Sequence, residues 1–167
     1  MEFVFKPPIG IVIVVVVVIV VAVAAALLRK GSTRRKVISV AIAAVVGAAL
    51  LVVVYRPVTL TVDSQGVRTN GLSPIELTWS QVSHAYLETN LRTSEYRPTV
   101  RTRGVAVGDY HSGRFVLSNG TPARVMMERT DVAVILFTDG LTYLLAPENI
   151  DGLIEAVDRY YPGGATQ

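Results

Sequence analysis

Residues 9–28 and 37–55 are two apolar runs without a charge, the second interrupted only by the polar side chain of Ser39. As a helix rising about 1.5 Å per residue, each run reaches roughly the 30 Å of a bilayer's hydrocarbon core. The many valines do not argue for strand, because a lone strand in lipid leaves its backbone groups without partners. Neither run shows the polar face of a surface helix. A cleaved leader is the alternative for the first run, given the small residues at 22–26. The run exceeds the roughly 7–15 apolar residues of such a leader, and a second run follows at once. The pattern predicts a tail at 1–8, transmembrane helices at 9–28 and 37–55, and a basic loop at 29–36. Ser39, Ala43 and Gly47 recur on one face of the second helix, and Ala22 and Ala26 on one face of the first. Small residues there let the two helices approach closely.

After Arg56-Pro57 the period changes to two. Val58, Leu60 and Val62 alternate with Thr59, Thr61 and Asp63, and Ile75, Leu77 and Trp79 alternate with Glu76, Thr78 and Ser80. Residues 67–71, 82–88, 114–118, 123–128 and 141–145 read as further short strands, and 132–137 as a continuous apolar strand buried on both faces. Asn70-Gly71, Asn119-Gly120 and Asp139-Gly140 are turn signals between them. Ile150, Leu153, Ile154 and Val157 then take helical spacing in a segment opened by Pro147 and ended by Pro162-Gly163-Gly164. Seven or eight short strands and one amphipathic helix suggest a small barrel or sandwich with the helix closing an open end. Trp79, Phe115, Phe137, Leu153 and Val157 are expected to share its core.

The charge is unevenly placed. Residues 1–55 carry six basic side chains against Glu2, a net of +5, whereas residues 56–167 carry ten arginines against twelve carboxylates, a net of −2. A nucleic-acid partner is therefore not expected, since it needs the basic patch on the binding domain. The basic 29–36 loop, by the positive-inside bias, belongs in the cytoplasm, which puts the C-terminal domain outside a cell membrane crossed twice. Cysteine is absent, so thiol catalysis and Cys-based metal sites are excluded. No metal and no cofactor are expected.

Several segments together resemble the bacterial pleckstrin-homology (PH) domains that follow membrane helices. They are Leu77-Thr78-Trp79-Ser80-Gln81-Val82, Arg101-Thr102-Arg103-Gly104, Gly108-Asp109-Tyr110, Gly113-Arg114-Phe115-Val116-Leu117, Asn119-Gly120, Thr138-Asp139-Gly140-Leu141-Thr142-Tyr143 and Ala146-Pro147-Glu148-Asn149. The resemblance spans about 57–161 and rests on turn and strand positions: Trp79, Gly104, Gly108, Gly113, Phe115, Gly120, Asp139, Gly140 and Pro147. It implies an α+β domain, a bent antiparallel barrel of about seven strands capped by the C-terminal helix, with 162–167 as a tail. Ala146 departs from the pattern, which tends to place a serine-like cap before the proline. The phosphoinositide site of eukaryotic PH domains is not carried over, because residues 58–71 offer only Arg68 as a cation.

The long polar stretch 89–112 is the candidate binding region. Arg92, Arg97, Arg101 and Arg103 stand there against Glu95 and Asp109, and guanidinium groups suit bidentate recognition of anions. The alternative is a solvated loop. Catalysis is not expected: Asp109, His111 and Ser112 are too close in sequence to converge as a triad, and no hydrolase motif is present. The sequence thus points to a membrane-anchored, non-catalytic interaction or scaffold domain, integral to membrane lipid and binding an unknown protein or an anionic lipid headgroup. Two alternatives remain, an accessory subunit of a membrane transport or signalling complex acting through its helices, and an unrecognised hydrolase.

Overall fold

The computed structural model describes residues 1–6, 9–28, 33–54, 57–70 and 74–164. They form two compact units, one of Lys6–Arg56 and one of Met1–Phe5 with Pro57–Gln167.

The first unit is a helical hairpin of α1 (Ile9–Leu28) and α2 (Thr33–Val54). The more covered positions follow helical spacing, Val12, Val15, Ile19 and Val23 on α1 and Val40, Ala43 and Gly47 on α2. Ile19 fills the space over Gly47, where an added Cβ would lie 2.6 Å from the Ile19 side chain. Ser39 and Ala22 are exposed, and the side chain of Ala26 lies outside the described residues. The small residues therefore admit a large neighbour on one helix instead of pairing with small residues on the other.

Among the described residues no helix is long and apolar enough to cross a membrane. The expected two spans, the multi-pass cell-membrane location and the extracytoplasmic C-terminal domain are corrected accordingly. The loop residues 29–32 behind the orientation argument lie outside the described residues.

The second unit begins with a strand where the sequence suggested a tail. β1 (Glu2–Phe5) alternates exposed and buried side chains and pairs antiparallel with β2 (Val58–Asp63), with Phe5 opposite Val58. The helical hairpin is thus inserted between two neighbouring strands. β3 (Gly66–Thr69) and β4 (Glu76–Thr78) complete a sheet of order β1-β2-β3-β4. A 3-10 turn, Trp79–Gln81, then interrupts the pairing. The Gln81 side chain accepts from the Thr78 amide at 3.0 Å, and the Trp79 indole donates to the Asp63 carbonyl at 2.7 Å.

The remaining strands are β5 (His84–Glu88), β6 (Pro98–Val107), β7 (Tyr110–Leu117), β8 (Pro122–Met127), β9 (Ala133–Phe137) and β10 (Thr142–Ala146). They form a second sheet of order β5-β9-β10-β8-β7-β6, antiparallel except for the parallel β8–β10 pair. Both sheets are open, so the closed seven-stranded barrel is corrected. Among the described residues no ladder bonds join β4 to β5 across the Trp79 turn, and β6 ends its sheet as an edge.

α3 (Ile150–Tyr160) starts later than Pro147 suggested, capped by the Asn149 side chain, which accepts from the Gly152 amide at 3.1 Å. This cap supplies the oxygen that Ala146 lacks. Ile150, Leu153, Ala156 and Val157 pack with Phe3, Phe5, Leu60, Trp79, Leu136 and Leu145 in a core between the sheets. The opposite face of the second sheet holds another cluster, with Phe115, Ile135 and Leu144 buried under Leu91. β9 and β10 are accordingly covered on both faces, as expected for 132–137. Phe115 and the half-buried Phe137 belong to this second cluster, apart from Trp79, Leu153 and Val157. One expected core is therefore two, because a sheet lies between them.

Candidate functional site

The stretch 89–112 is mostly strand. Only 89–97 form a turn region; β6 and β7 follow as a hairpin closed by Gly108-Asp109, with Val107 opposite Tyr110. Gly108, at φ 58°, occupies the first central position, where such a turn favours glycine. The register of β6 against β7 shifts between Pro98 and Val100 and again between Arg101 and Arg103. The second shift leaves Thr102 as the extra residue, and its hydroxyl donates to the Arg114 carbonyl at 3.1 Å. Each bulge inverts the alternation of side chains.

That inversion separates the arginines. Arg101 is opposite Phe115, on the face of the second cluster, whereas Arg103 is opposite Arg114, on the other face. Arg92 and Arg97 line one groove with Asp109, His111 and Thr130. Arg92 approaches Asp109 at 3.8 Å, the Arg97 guanidinium donates to the Arg92 carbonyl at 3.2 Å, and Thr130 donates to Asp109 at 2.6 Å. Positive charge in this groove is already answered by Asp109. The expected set of four is therefore divided: Arg92 and Arg97 stand together, and Arg101 and Arg103 lie on opposite faces of β6.

Arg103 instead belongs to a row. Arg103 is the register partner of Arg114, and Arg114 is the register partner of Arg124 on β8. Direct partners share a face with Cα atoms about 4.5–5.5 Å apart, so the three arginine Cα atoms span only about 10 Å of sheet. Arg103 and Arg114 are exposed and Arg124 is half-buried, its guanidinium donating to the Pro74 carbonyl. Among the described residues no carboxylate forms an ion pair with any of the three. Like charges directly opposite one another destabilise a sheet. Arg114 and Arg124 escaped the sequence analysis because each is merely the polar position of an alternating strand. Their adjacency depends on the pairing of strands, which periodicity does not report.

The other motif positions are structural. Gly104 and Gly113 face each other with φ of 113° and 136°, and an added Cβ at Gly113 would lie 2.2 Å from the Arg103 carbonyl oxygen. Gly120 closes the β7–β8 turn, its amide donating to Leu117 at 2.9 Å. Asp139 and Gly140 form the β9–β10 turn, bridged by the Thr138 amide to Leu141 at 3.2 Å, and Pro147 is buried before α3.

One ion pair near the arginine groove makes a pH prediction. Arg129 donates to Asp131 at 2.8 and 2.6 Å, and these bonds, more than any other cause, lower the Asp131 carboxyl to about 2. A depressed carboxyl contributes stability above its unfolded value near 4, and that contribution is lost as pH falls through about 2. The side chains are 36% and 51% exposed, so solvent screening limits the effect to below about 1 kcal/mol. Asp131→Asn should therefore lower the unfolding midpoint slightly at pH 7 and not at all at pH 1, below both titrations, as followed by urea titration.

Among the described residues no cluster of His, Asp or Glu suits a metal ion. Residues 66–160 match the family model described as the bacterial PH domain. Comparison with curated proteins and with solved structures gave no match.

Proposed function

This chain belongs to the bacterial PH domain family, and we propose that it is an interaction module that recognises an anionic partner through Arg103, Arg114 and Arg124. PH domains are generally non-catalytic and commonly bind proteins or lipid headgroups. The observation that supports this reading is the cross-strand row of arginines without carboxylate partners. Such a row costs stability in the free protein, and an anion set over it relieves the repulsion while accepting charge-assisted hydrogen bonds. Three arginines on the same face of neighbouring strands suit a group with two or more negative charges, such as clustered carboxylates of an acidic protein segment. The planar guanidinium fork favours carboxylate or phosphate over a simple halide.

The test separates binding from folding. Arg114→Gln should raise stability by about 0.2–1 kcal/mol by removing the like-charge contact. It should weaken binding of a Glu-rich peptide by about tenfold or more, the loss of a charged hydrogen bond of some 1.5–3 kcal/mol. Arg101→Gln, on the opposite face, should leave that affinity unchanged. Calorimetric titration of the full chain at two salt concentrations checks both. Equal loss in the two variants would replace the row by diffuse attraction, and binding to anionic vesicles but not to the peptide would move the partner to a headgroup.

A further inference from the structure

A second site of opposite charge lies on the other face of the sheet, at the β5 end. Four rings meet there. His84 stacks on Phe137 with centroids 5.9 Å apart and 25° between planes. Tyr96 meets Phe137 at 5.4 Å and 72°, and Tyr86 meets Tyr96 at 6.4 Å and 55°. The steep angles make a corner in which neighbouring ring faces point in different directions, and all four rings line one groove. The groove over this corner is about 600 Å³, and Glu88 and Glu95 complete its lining with two carboxylates.

The turn is built to hold these groups. The Ser94 hydroxyl donates to Glu88 at 2.6 Å and accepts from the Tyr96 amide at 3.1 Å. The Asn90 amide donates to the other Glu88 oxygen at 2.9 Å. Glu88 therefore stays in place as a fixed negative charge, and the same hydroxyl sets the position of Tyr96. Burial and then the Glu95 charge raise the Tyr96 phenol above its ordinary value, in keeping with a partly dry, negative surrounding.

We propose that this aromatic corner with its two carboxylates binds a quaternary ammonium cation of the choline class. A cation over ring faces is attracted by the ring quadrupole, more strongly where the site is drier. Faces inclined to one another touch a rounded trimethylammonium from more than one side, whereas a flat guanidinium stacks on one face at a time. The volume exceeds one trimethylammonium group, so the cation enters as one end of a longer molecule. With two carboxylates in the lining, the preferred ligand carries no anion beside its nitrogen.

Proton NMR of choline titrated with the full chain reads this directly. Methyls seated over ring faces should shift upfield saturably, and tetramethylammonium should compete. The neutral isostere 3,3-dimethylbutan-1-ol should bind at least tenfold more weakly, and phosphocholine more weakly than choline. Tyr96→Leu should lower choline affinity about tenfold, Tyr96→Phe should retain it, and Glu95→Gln should lower it a few fold. Because Phe137 also packs on a core cluster, the half-buried Tyr96 and exposed Glu95 carry the test. The site is overturned by the absence of a saturable shift, by equal binding of the neutral isostere, or by tighter binding of arginine than of choline.

Discussion

Truncating Phe5 to Ala should destabilise the sheet-containing unit by about 3–5 kcal/mol, the usual range for a large buried aromatic. Phe5 is fully buried in the core that α3 also enters. A loss of that size is a large part of the roughly 5–15 kcal/mol that holds a domain together. The reason is topological. β1 pairs with β2 over four register partners, from Glu2 with Thr61 to Phe5 with Val58, and the Val62 amide donates to the Met1 carbonyl at 2.8 Å. A fragment of residues 57–167 therefore lacks a strand and opens the core beside Leu60. It should unfold at lower urea than the full chain or aggregate. Replacing residues 6–57 by a two-residue Gly-containing turn should restore cooperative unfolding, because Phe5 and Val58 are already direct neighbours. Trp79, 8% exposed and in the same core, is a suitable fluorescence probe. If the fragment matches the turn-linked chain in midpoint, β1 is dispensable.

Gly113→Ala should be the second severe change. Its φ of 136° lies where an L side chain is strained, which costs roughly 1–3 kcal/mol by itself. Contact adds to it, because a Cβ at 2.2 Å from the Arg103 carbonyl oxygen meets backbone that cannot rotate away. The hairpin must separate at the Gly104–Gly113 pair, beside the partners Arg103 and Arg114. Loss of the β6 ladder should appear as faster amide exchange in 103–107, and anion affinity should fall with it. Gly120→Ala is the control. Its φ of 83° is also positive, but an added Cβ meets nothing within 4 Å, so about 1–2 kcal/mol is expected. Equal losses at the two positions would show that close strand contact contributes little.

The elements governed by local pattern were largely legible. Continuous apolar character marked β9, Asp139-Gly140 marked its turn, and the spacing of Ile150, Leu153, Ile154 and Val157 marked α3. Helix and strand periods are set by backbone geometry within a few residues, so they survive in the sequence. The start of α3 was displaced because Pro147 tolerates a helix start without requiring one, whereas Asn149 supplies the capping oxygen. The two apolar runs were recognised as helices. Length and apolarity together had to decide whether they cross a membrane, and among the described residues no helix meets that condition.

The candidate sites depend on what local pattern omits. Arg101 and Arg103 are two apart and would share a face in an unbroken strand; one bulge at Thr102 puts them on opposite faces. Arg103, Arg114 and Arg124 are separated by ten and more residues of chain and meet only because β6, β7 and β8 pair in one register. His84, Tyr86, Tyr96 and Phe137 come from three segments gathered at one end of a sheet. The family itself was readable, since its glycines and turns are demands of the backbone at fixed places. By itself the sequence determined the two long helices, α3, strands such as β2 and β9, and the Asn-Gly and Asp-Gly turns, because those follow from side-chain period and backbone sterics over short distances; it did not show β1 or β6. The tertiary structure alone decided that residues 2–5 complete a sheet across an inserted hairpin, and which charges and rings become neighbours. Those outcomes follow from strand register and core burial, which join residues far apart in the chain.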